Sequence, residues 1–293
     1  MKILICGAQG QVGWELSRLC QQQGVDALAL GSKELNVANQ AQVNEQINFY
    51  QPSIVVNAAA YTAVDKAETD SEQAFLVNQE GPAYLASICK NLGIPLIHIS
   101  TDYVFDGKKT DAYQVNDAVN PLNVYGASKW AGEENVRNIL AKHIILRTSW
   151  VFSSHGNNFV KTMLRLAQTR DSLSVVADQR GAPTSAASIA HCILTLCRRY
   201  NLEGNLPWGT YHFAGRPVST WFDFAECIFK EAQALDLIDH PMTVKPISTA
   251  DYPTPATRPQ NSVLDLSALS RLNITAPSWQ DDLIEVLKNL KST

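Results

Sequence analysis

The first thirteen residues constrain the fold more than any other stretch of the chain. Ile3 to Cys6 is an unbroken apolar run of strand length, and it opens directly into Gly7, Gly10 and Gly13. Such a run, without polar alternation, predicts a parallel strand buried on both faces. From Gln11 to Gln23 the apolar residues Val12, Leu16 and Leu19 fall on a helical period. Strand, glycine turn and helix in this order open a βαβ unit, whose turn lets a pyrophosphate approach the backbone and rest on the helix N-terminus. Ordinary strand-to-helix turns also hold glycines at this spacing, so the rest of the chain has to decide.

The alternation continues. Ala27 to Leu30, Ser53 to Asn57, Ile94 to Ser100 and Ile144 to Thr148 predict further buried strands with helical stretches between them. That pattern is the mark of an α/β fold, a Rossmann-type doubly wound parallel sheet covered on both faces. Lys66 to Leu92 is helical but interrupted at Gly81-Pro82, which predicts a helix start or a kink. After about Trp150 the pattern loosens, with turn-forming stretches at Ser153 to Asn158, Gly204 to Thr210 and Tyr252 to Pro259. Helical periods persist at Phe159 to Thr169, Ala186 to Tyr200, Trp221 to Ala234 and Trp279 to Leu290. We expect an NAD(P)-binding Rossmann domain over 1–150 and a smaller C-terminal lobe over 151–293, mainly substrate-binding, with some of its elements returning to the first domain.

Composition narrows the partners. The formal charge of −4 provides no electrostatic footprint for nucleic acid. No segment reaches membrane-spanning length, and the apolar run before Gly7 is too short for a secretory signal. Cysteines at positions 6, 20, 89, 192, 197 and 227 form no Cys-x-x-Cys pair, so we expect them reduced in a cytoplasmic protein. The scattered histidines offer no zinc-binding spacing.

Tyr125-Gly126-Ala127-Ser128-Lys129 supplies chemistry. A spacing of four places Tyr125 and Lys129 on one helix face. The Lys129 ammonium is then expected to lower the Tyr125 phenol, so that it trades a proton with a carbonyl oxygen near neutral pH. A solvated helix face can carry the same two residues, so the pair gains its meaning from the glycine turn.

These motifs, with Asn57-Ala58-Ala59-Ala60-Tyr61-Thr62-Ala63-Val64-Asp65, Ser100-Thr101-Asp102-Tyr103-Val104-Phe105-Asp106-Gly107, Arg147-Thr148-Ser149-Trp150 and Gly181-Ala182-Pro183-Thr184, resemble the extended short-chain dehydrogenase/reductase superfamily over nearly the whole chain. Pro253-Thr254-Pro255-Ala256-Thr257-Arg258-Pro259 adds a further specific run. Within the superfamily the resemblance implies reduction of the C4 ketone of dTDP-4-dehydro-L-rhamnose, a dTDP-sugar substrate on the route to cell-surface polysaccharide, with hydride from NADPH or NADH. By the same resemblance Tyr125 gives a proton to the developing C4 alkoxide, Lys129 holds the nicotinamide ribose, and Thr101 hydrogen-bonds the substrate oxygen. Gly7, Gly10, Gln11, Val12 and Gly13 are implied around the pyrophosphate, Asn36 and Val37 beside the adenine, and Ala60, Tyr61 and Thr62 against the cofactor. Thr101, Asp102 and Trp150 are implied at the sugar, and the loop residue Arg258 at the nucleotide diphosphate.

Departures from the family pattern carry information too. Tyr103 stands where related 4,6-dehydratases have a glutamate, which disfavours dehydration. The expected end of the second strand reads Leu30-Gly31-Ser32-Lys33, with no carboxylate to repel a 2′-phosphate and Lys33 to attract one, so NADPH is expected over NADH. The resemblance also implies Mg2+ and a homodimer through acidic surface residues. Glu15 is the candidate ligand, whereas Ser185-Ala186-Ala187 offers no carboxylate. A sugar-nucleotide 4-epimerase and a non-catalytic regulatory subunit would share this fold and stay open as alternatives.

Overall fold

A computed structural model of the protein describes residues 1–292. In chain order its main elements are β1 (Lys2–Cys6), α1 (Gln11–Gln22), β2 (Asp26–Leu30), α2 (Gln40–Tyr50), β3 (Ile54–Asn57), α3 (Gly81–Leu92), β4 (Leu96–Thr101), α4 (Val124–Ile139), β5 (His143–Thr148), α5 (Phe159–Ala167), α6 (Ala186–Glu203), β6 (Gly209–His212), α7 (Trp221–Ala234) and α8 (Trp279–Lys291). Six strands form one parallel sheet in the order β6-β5-β4-β3-β1-β2. The order reverses between β1 and β3, and a ligand crevice is expected outside the strand ends at such a switch point.

The apolar runs become a two-sided core because successive strand residues point to opposite faces. Ile3, Ile5, Ile54, Val56, Ile97, Ile144 and Leu146 pack under α1 and α6, whereas Leu4, Cys6, Val55, Leu96 and Ile145 pack under α2, α3 and α4. Each large aliphatic side chain buried in this way contributes roughly 1.5–3 kcal/mol. A separate core around Phe152, Val160, Phe224, Ile228, Trp279 and Leu283 unites α5, α7 and α8.

Two elements of the second half return to the sheet. β6 pairs with β5 from Gly209 opposite Ile144 to His212 opposite Arg147, and α6 lies along α1. No helix among the described residues is long and apolar enough to cross a membrane. All six cysteines are free, and five of them are buried.

The interruption at Gly81-Pro82 is a change of helix type. A helix over Ser71–Phe75 runs through a π turn at Leu76–Glu80 into α3 without leaving helical backbone. Pro82, which has no N–H to give to a helical ladder, follows immediately on this π turn. The widened turn presents Asn78 to α4, where its side-chain nitrogen donates to Ser128 Oγ at 3.0 Å.

Candidate active site

The turn after β1 is shaped by contacts that only glycine permits. Gly7 has φ +82°, and a Cβ there would lie 2.5 Å from the Ala59 nitrogen. A Cβ on Gly13 would lie 2.2 Å from the Gly7 carbonyl oxygen. These approaches bring the turn against the end of β3 and seat α1 on it. Gly10 caps α1 without a side chain over the helix N-terminus, leaving its N–H groups open to an anion.

This turn forms one wall of a cavity of about 530 Å3. Gly10, Gln11, Val12, Ala60, Thr62, Thr101, Asp102, Tyr125, Lys129 and Trp150 all line it. Three walls therefore meet: the glycine turn, the ends of β3 and β4, and the first turns of α4.

Helix α4 starts where Asn123 Oδ1 accepts the Gly126 N–H at 2.8 Å, while Asn123 Nδ2 donates to the Thr257 carbonyl at 2.8 Å. Tyr125 thus lies in the first turn, one turn ahead of Lys129. A Cβ on Gly126 would come within 2.2 Å of the Tyr103 carbonyl oxygen, so only glycine lets the helix settle this close to β4. Tyr103 meets the Tyr125 ring edge-on at 5.6 Å. Lys129 is 2 % exposed and its Nζ donates to the Ile99 carbonyl at 2.7 Å.

The electrostatics correct one expectation. Burial pushes the Tyr125 phenol up to about 12, with the Thr101 hydroxyl pulling the other way and the Asp102 charge adding to the rise. Burial also brings the Lys129 ammonium down to about 8, against the pull of Glu133. Desolvation outweighs any help from Lys129, whose ammonium is engaged at Ile99, so Tyr125 is a firmly protonated donor here and not a lowered one.

Thr101 ends β4 and caps the short turn Asp102–Val104. Its hydroxyl accepts from the Tyr103 N–H at 3.2 Å and donates to Asp102 Oδ1 at 2.9 Å. Asp102 is 2 % exposed, and burial raises its carboxyl to about 6 against the pull of the nearby Ser262 and Thr101 hydroxyls, while its Oδ2 has no partner at hydrogen-bond geometry. It is a half-satisfied acceptor at the cavity wall. Trp150 holds φ +47°, a left-handed conformation for a bulky residue, and its indole stacks on Trp221 at 3.7 Å.

Other expected site residues lie elsewhere. Val37 is 3 % exposed and belongs to the core beside Gly81. Asn36 spends its side chain on the Ala38 N–H. Tyr61 donates its hydroxyl to Asp70 and its N–H to Asn78 Oδ1, and is not on the cavity wall. Lys33 is exposed beyond β2. The carboxylate thought missing there is supplied by Glu34, which accepts the Gly31 N–H at 3.0 Å.

Arg258 is also off the cavity wall, clamped on Asp65 at 3.0 and 2.8 Å. Glu15 is no surface carboxylate: it is 4 % exposed, paired with Arg18 at 3.0 Å and approached by Ser153 Oγ at 3.3 Å. No group of three or more metal-binding side chains occurs among the described residues.

Sequence reasoning missed the contribution of the loop after β5. Gly156 and Asn157 line the cavity, His155 reaches the Gln9 carbonyl at 2.9 Å, and Asn158 donates to Gln11 Oε1 at 2.9 Å. The turn-forming composition of Ser153 to Asn158 marked a loop, but nothing in it marked a clasp on residues some 146 positions away.

The family model described as RmlD substrate binding domain matches residues 1–292. A dTDP-4-dehydrorhamnose reductase of Aggregatibacter actinomycetemcomitans is 44% identical, over 99% of this chain and 98% of its own. Among solved structures, the dTDP-4-dehydrorhamnose reductase of Clostridium acetobutylicum superimposes with a TM-score of 0.91 at 37% identity, over 99% of this chain and 100% of that one. The Bacillus anthracis dTDP-4-dehydrorhamnose reductase in complex with NADP superimposes with a TM-score of 0.91 at 36% identity and the same coverage.

Proposed function

The chain belongs to the RmlD substrate binding domain family, and from that premise we propose that it is an oxidoreductase that reduces the C4 ketone of dTDP-4-dehydro-L-rhamnose, taking hydride from NADPH. The observation that carries this reading is the convergence of Tyr125, Lys129 and Thr101 with the glycine turn on one cavity. NAD(P)H use accords with that turn, where Gly10 leaves the N–H groups of α1 open to an anion, and with NADP in the Bacillus anthracis relative.

When bound along the turn, the dinucleotide supplies the hydride. The chain's own residues manage the oxygen. Tyr125, held protonated by burial, releases its proton only to an oxygen more basic than a phenolate, which a ketone becomes as it turns into an alkoxide. Thr101 lies beside Tyr125 with its single hydroxyl proton on Asp102, and on turning that proton from the carboxylate to the substrate it orients the same oxygen. Lys129, one turn from Tyr125 on the same helix face and held by its Nζ on the Ile99 carbonyl, keeps a cation on the side of the cavity where negative charge appears after proton loss. Asp102 offers its spare oxygen to a sugar hydroxyl. Trp150, backed by Trp221, provides a flat wall for the sugar ring. A diphosphate that reached Arg258 would share it with Asp65.

A coupled assay tests the reading: purified chain, dTDP-4-dehydro-6-deoxy-glucose, a 3,5-epimerase and NADPH. Stoichiometric loss of NADPH with formation of dTDP-L-rhamnose is expected. A 4-epimerase would convert the sugar without net NADPH loss, and a regulatory subunit would do neither.

A further inference from the structure

Tyr125, Lys129, Glu133 and Arg137 recur every four residues along α4 and share its inner face. Three of them meet three consecutive residues of β4. Lys129 Nζ donates to the Ile99 carbonyl at 2.7 Å, Ser100 Oγ donates to Glu133 Oε1 at 2.5 Å, and the Thr101 hydroxyl lies beside Tyr125. Arg147 on β5 stands opposite Ser100 in the sheet and donates Nε to Glu133 Oε1 at 2.9 Å and Nη2 to Oε2 at 2.7 Å. Arg137 adds a bond to Oε2 at 2.5 Å. Glu133 is fully buried and Arg147 is 1 % exposed. Well-packed apolar residues often stabilise a fold as much as a buried ion pair does, so stability alone is a weak reason for this cluster.

We propose that Glu133 is a positioning residue for the reduction: locked to Ser100 and Arg147, it fixes the register in which α4 presents Tyr125 and Lys129 to the end of β4, and it keeps a negative charge one turn behind the Lys129 ammonium. The inference rests on the reductase reading above. Burial lowers Lys129 to about 8, and Glu133 is the neighbour that opposes the fall. The other titratable or charged groups around this face are Tyr125, Arg137, His98 on β4, Arg147 on β5, and Asp102 and Tyr103 after β4. Burial holds His98 well below its usual range, hence neutral, with the Lys129, Arg137 and His143 charges adding to the fall. Burial pushes the Glu133 carboxyl up, but Arg147, Ser100 and Arg137 together hold it below the usual carboxylate range, so its charge persists at neutral pH.

The test is kinetic. Glu133→Gln should lower kcat about ten- to a hundredfold through misplacement of the donor, with NADPH affinity, read by cofactor fluorescence, near wild type. The alkaline limb of its kcat profile should move about one pH unit toward acid, because Lys129 loses its proton more readily without the carboxylate. Glu133→Asp keeps the charge and should return the limb toward its wild-type position. Glu133→Gln also strips Arg147 of its counter-charge and so endangers folding, which makes Ser100→Ala the second measurement. It retains the carboxylate and both arginines and removes only the tie to β4, and its kcat should fall about two- to tenfold with the limb unmoved. Wild-type kcat in Ser100→Ala, or wild-type kcat and limb in a folded Glu133→Gln, overturns the proposal. An inactive wild-type chain would instead overturn the reductase reading.

Discussion

Along one face of α4 two polar clusters sit a single turn apart and are built on opposite terms. At Glu133 both carboxylate oxygens are bonded at least twice, by Ser100, Arg147 and Arg137. At the cavity, Asp102 leaves an oxygen without a partner, Tyr125 is pushed up to about 12 and Lys129 down to about 8. The scaffold cluster is saturated, whereas the cavity cluster keeps hydrogen-bonding capacity in reserve. A buried group with unused capacity is costly to the fold and is the kind of group a substrate can complete.

The sharpest way to break this comparison is Tyr125→Phe, which removes the proton donor and keeps the ring. Turnover should fall by ~10²–10⁴-fold while NADPH binding stays near wild type. Retention of more than about a tenth of the wild-type rate would remove Tyr125 from the role. The melting temperature should not drop, because the hydroxyl belongs to the cluster that does not hold the fold together.

Arg147→Met attacks the saturated cluster. It leaves Glu133 buried beside one remaining arginine and should cost about 3–5 kcal/mol in urea unfolding. Glu133 titrates low in the folded state, so its ionised form stabilises above the ordinary carboxylate pKa, and that stabilisation is lost as pH falls through its folded value. The gap between wild type and variant should therefore narrow in acid. A gap that is flat with pH would show that lost packing, not charge, dominates.

Asp102→Asn should do the reverse. The carboxyl titrates at about 6 folded against 3.8 in the reference state, so it costs nothing below pH 4 and up to about 3 kcal/mol above pH 6. Asparagine retains the acceptor for Thr101. The variant should melt several degrees higher at pH 8, no higher at pH 4, and turn over more slowly. Equal melting temperatures at pH 8 would mean that Asp102 finds a partner in solution and is not held in reserve.

The smallest effect is expected at the solvated edge. Lys33→Asp should move the kcat/KM ratio toward NADH by about three- to tenfold, since an exposed charge is screened. Glu34, already at the end of β2, limits the preference that Lys33 can create.

What could be read from the chain follows from how far apart the interacting residues lie. The glycine turn and the Tyr125–Lys129 pair are local: their spacing alone places them on a turn and on a helix face. The strand runs were legible because a strand buried on both sides has little choice of composition. Long-range pairings were not. Arg258 finds Asp65 across 193 residues and His155 finds Gln9 across 146, and no periodicity announces either. The pKa of Tyr125 was misjudged because a sequence displays a neighbouring charge and hides desolvation. Glu133 fell one helical turn beyond Lys129 and passed unnoticed, since its meaning depends on Arg147 in the next strand.

The pairing of β6 with β5 has a consequence for synthesis. β5 is complete at Thr148, but the strand that covers its outer edge ends at His212. At roughly 5–20 residues per second, the ribosome needs about 3–13 seconds to deliver it. Throughout that interval the nascent chain exposes an unpaired, apolar parallel edge, the surface through which strands recruit wrong partners. Expression cut at residue 150 would make the exposure permanent. Such a fragment should collect in the insoluble fraction, where the full chain does not.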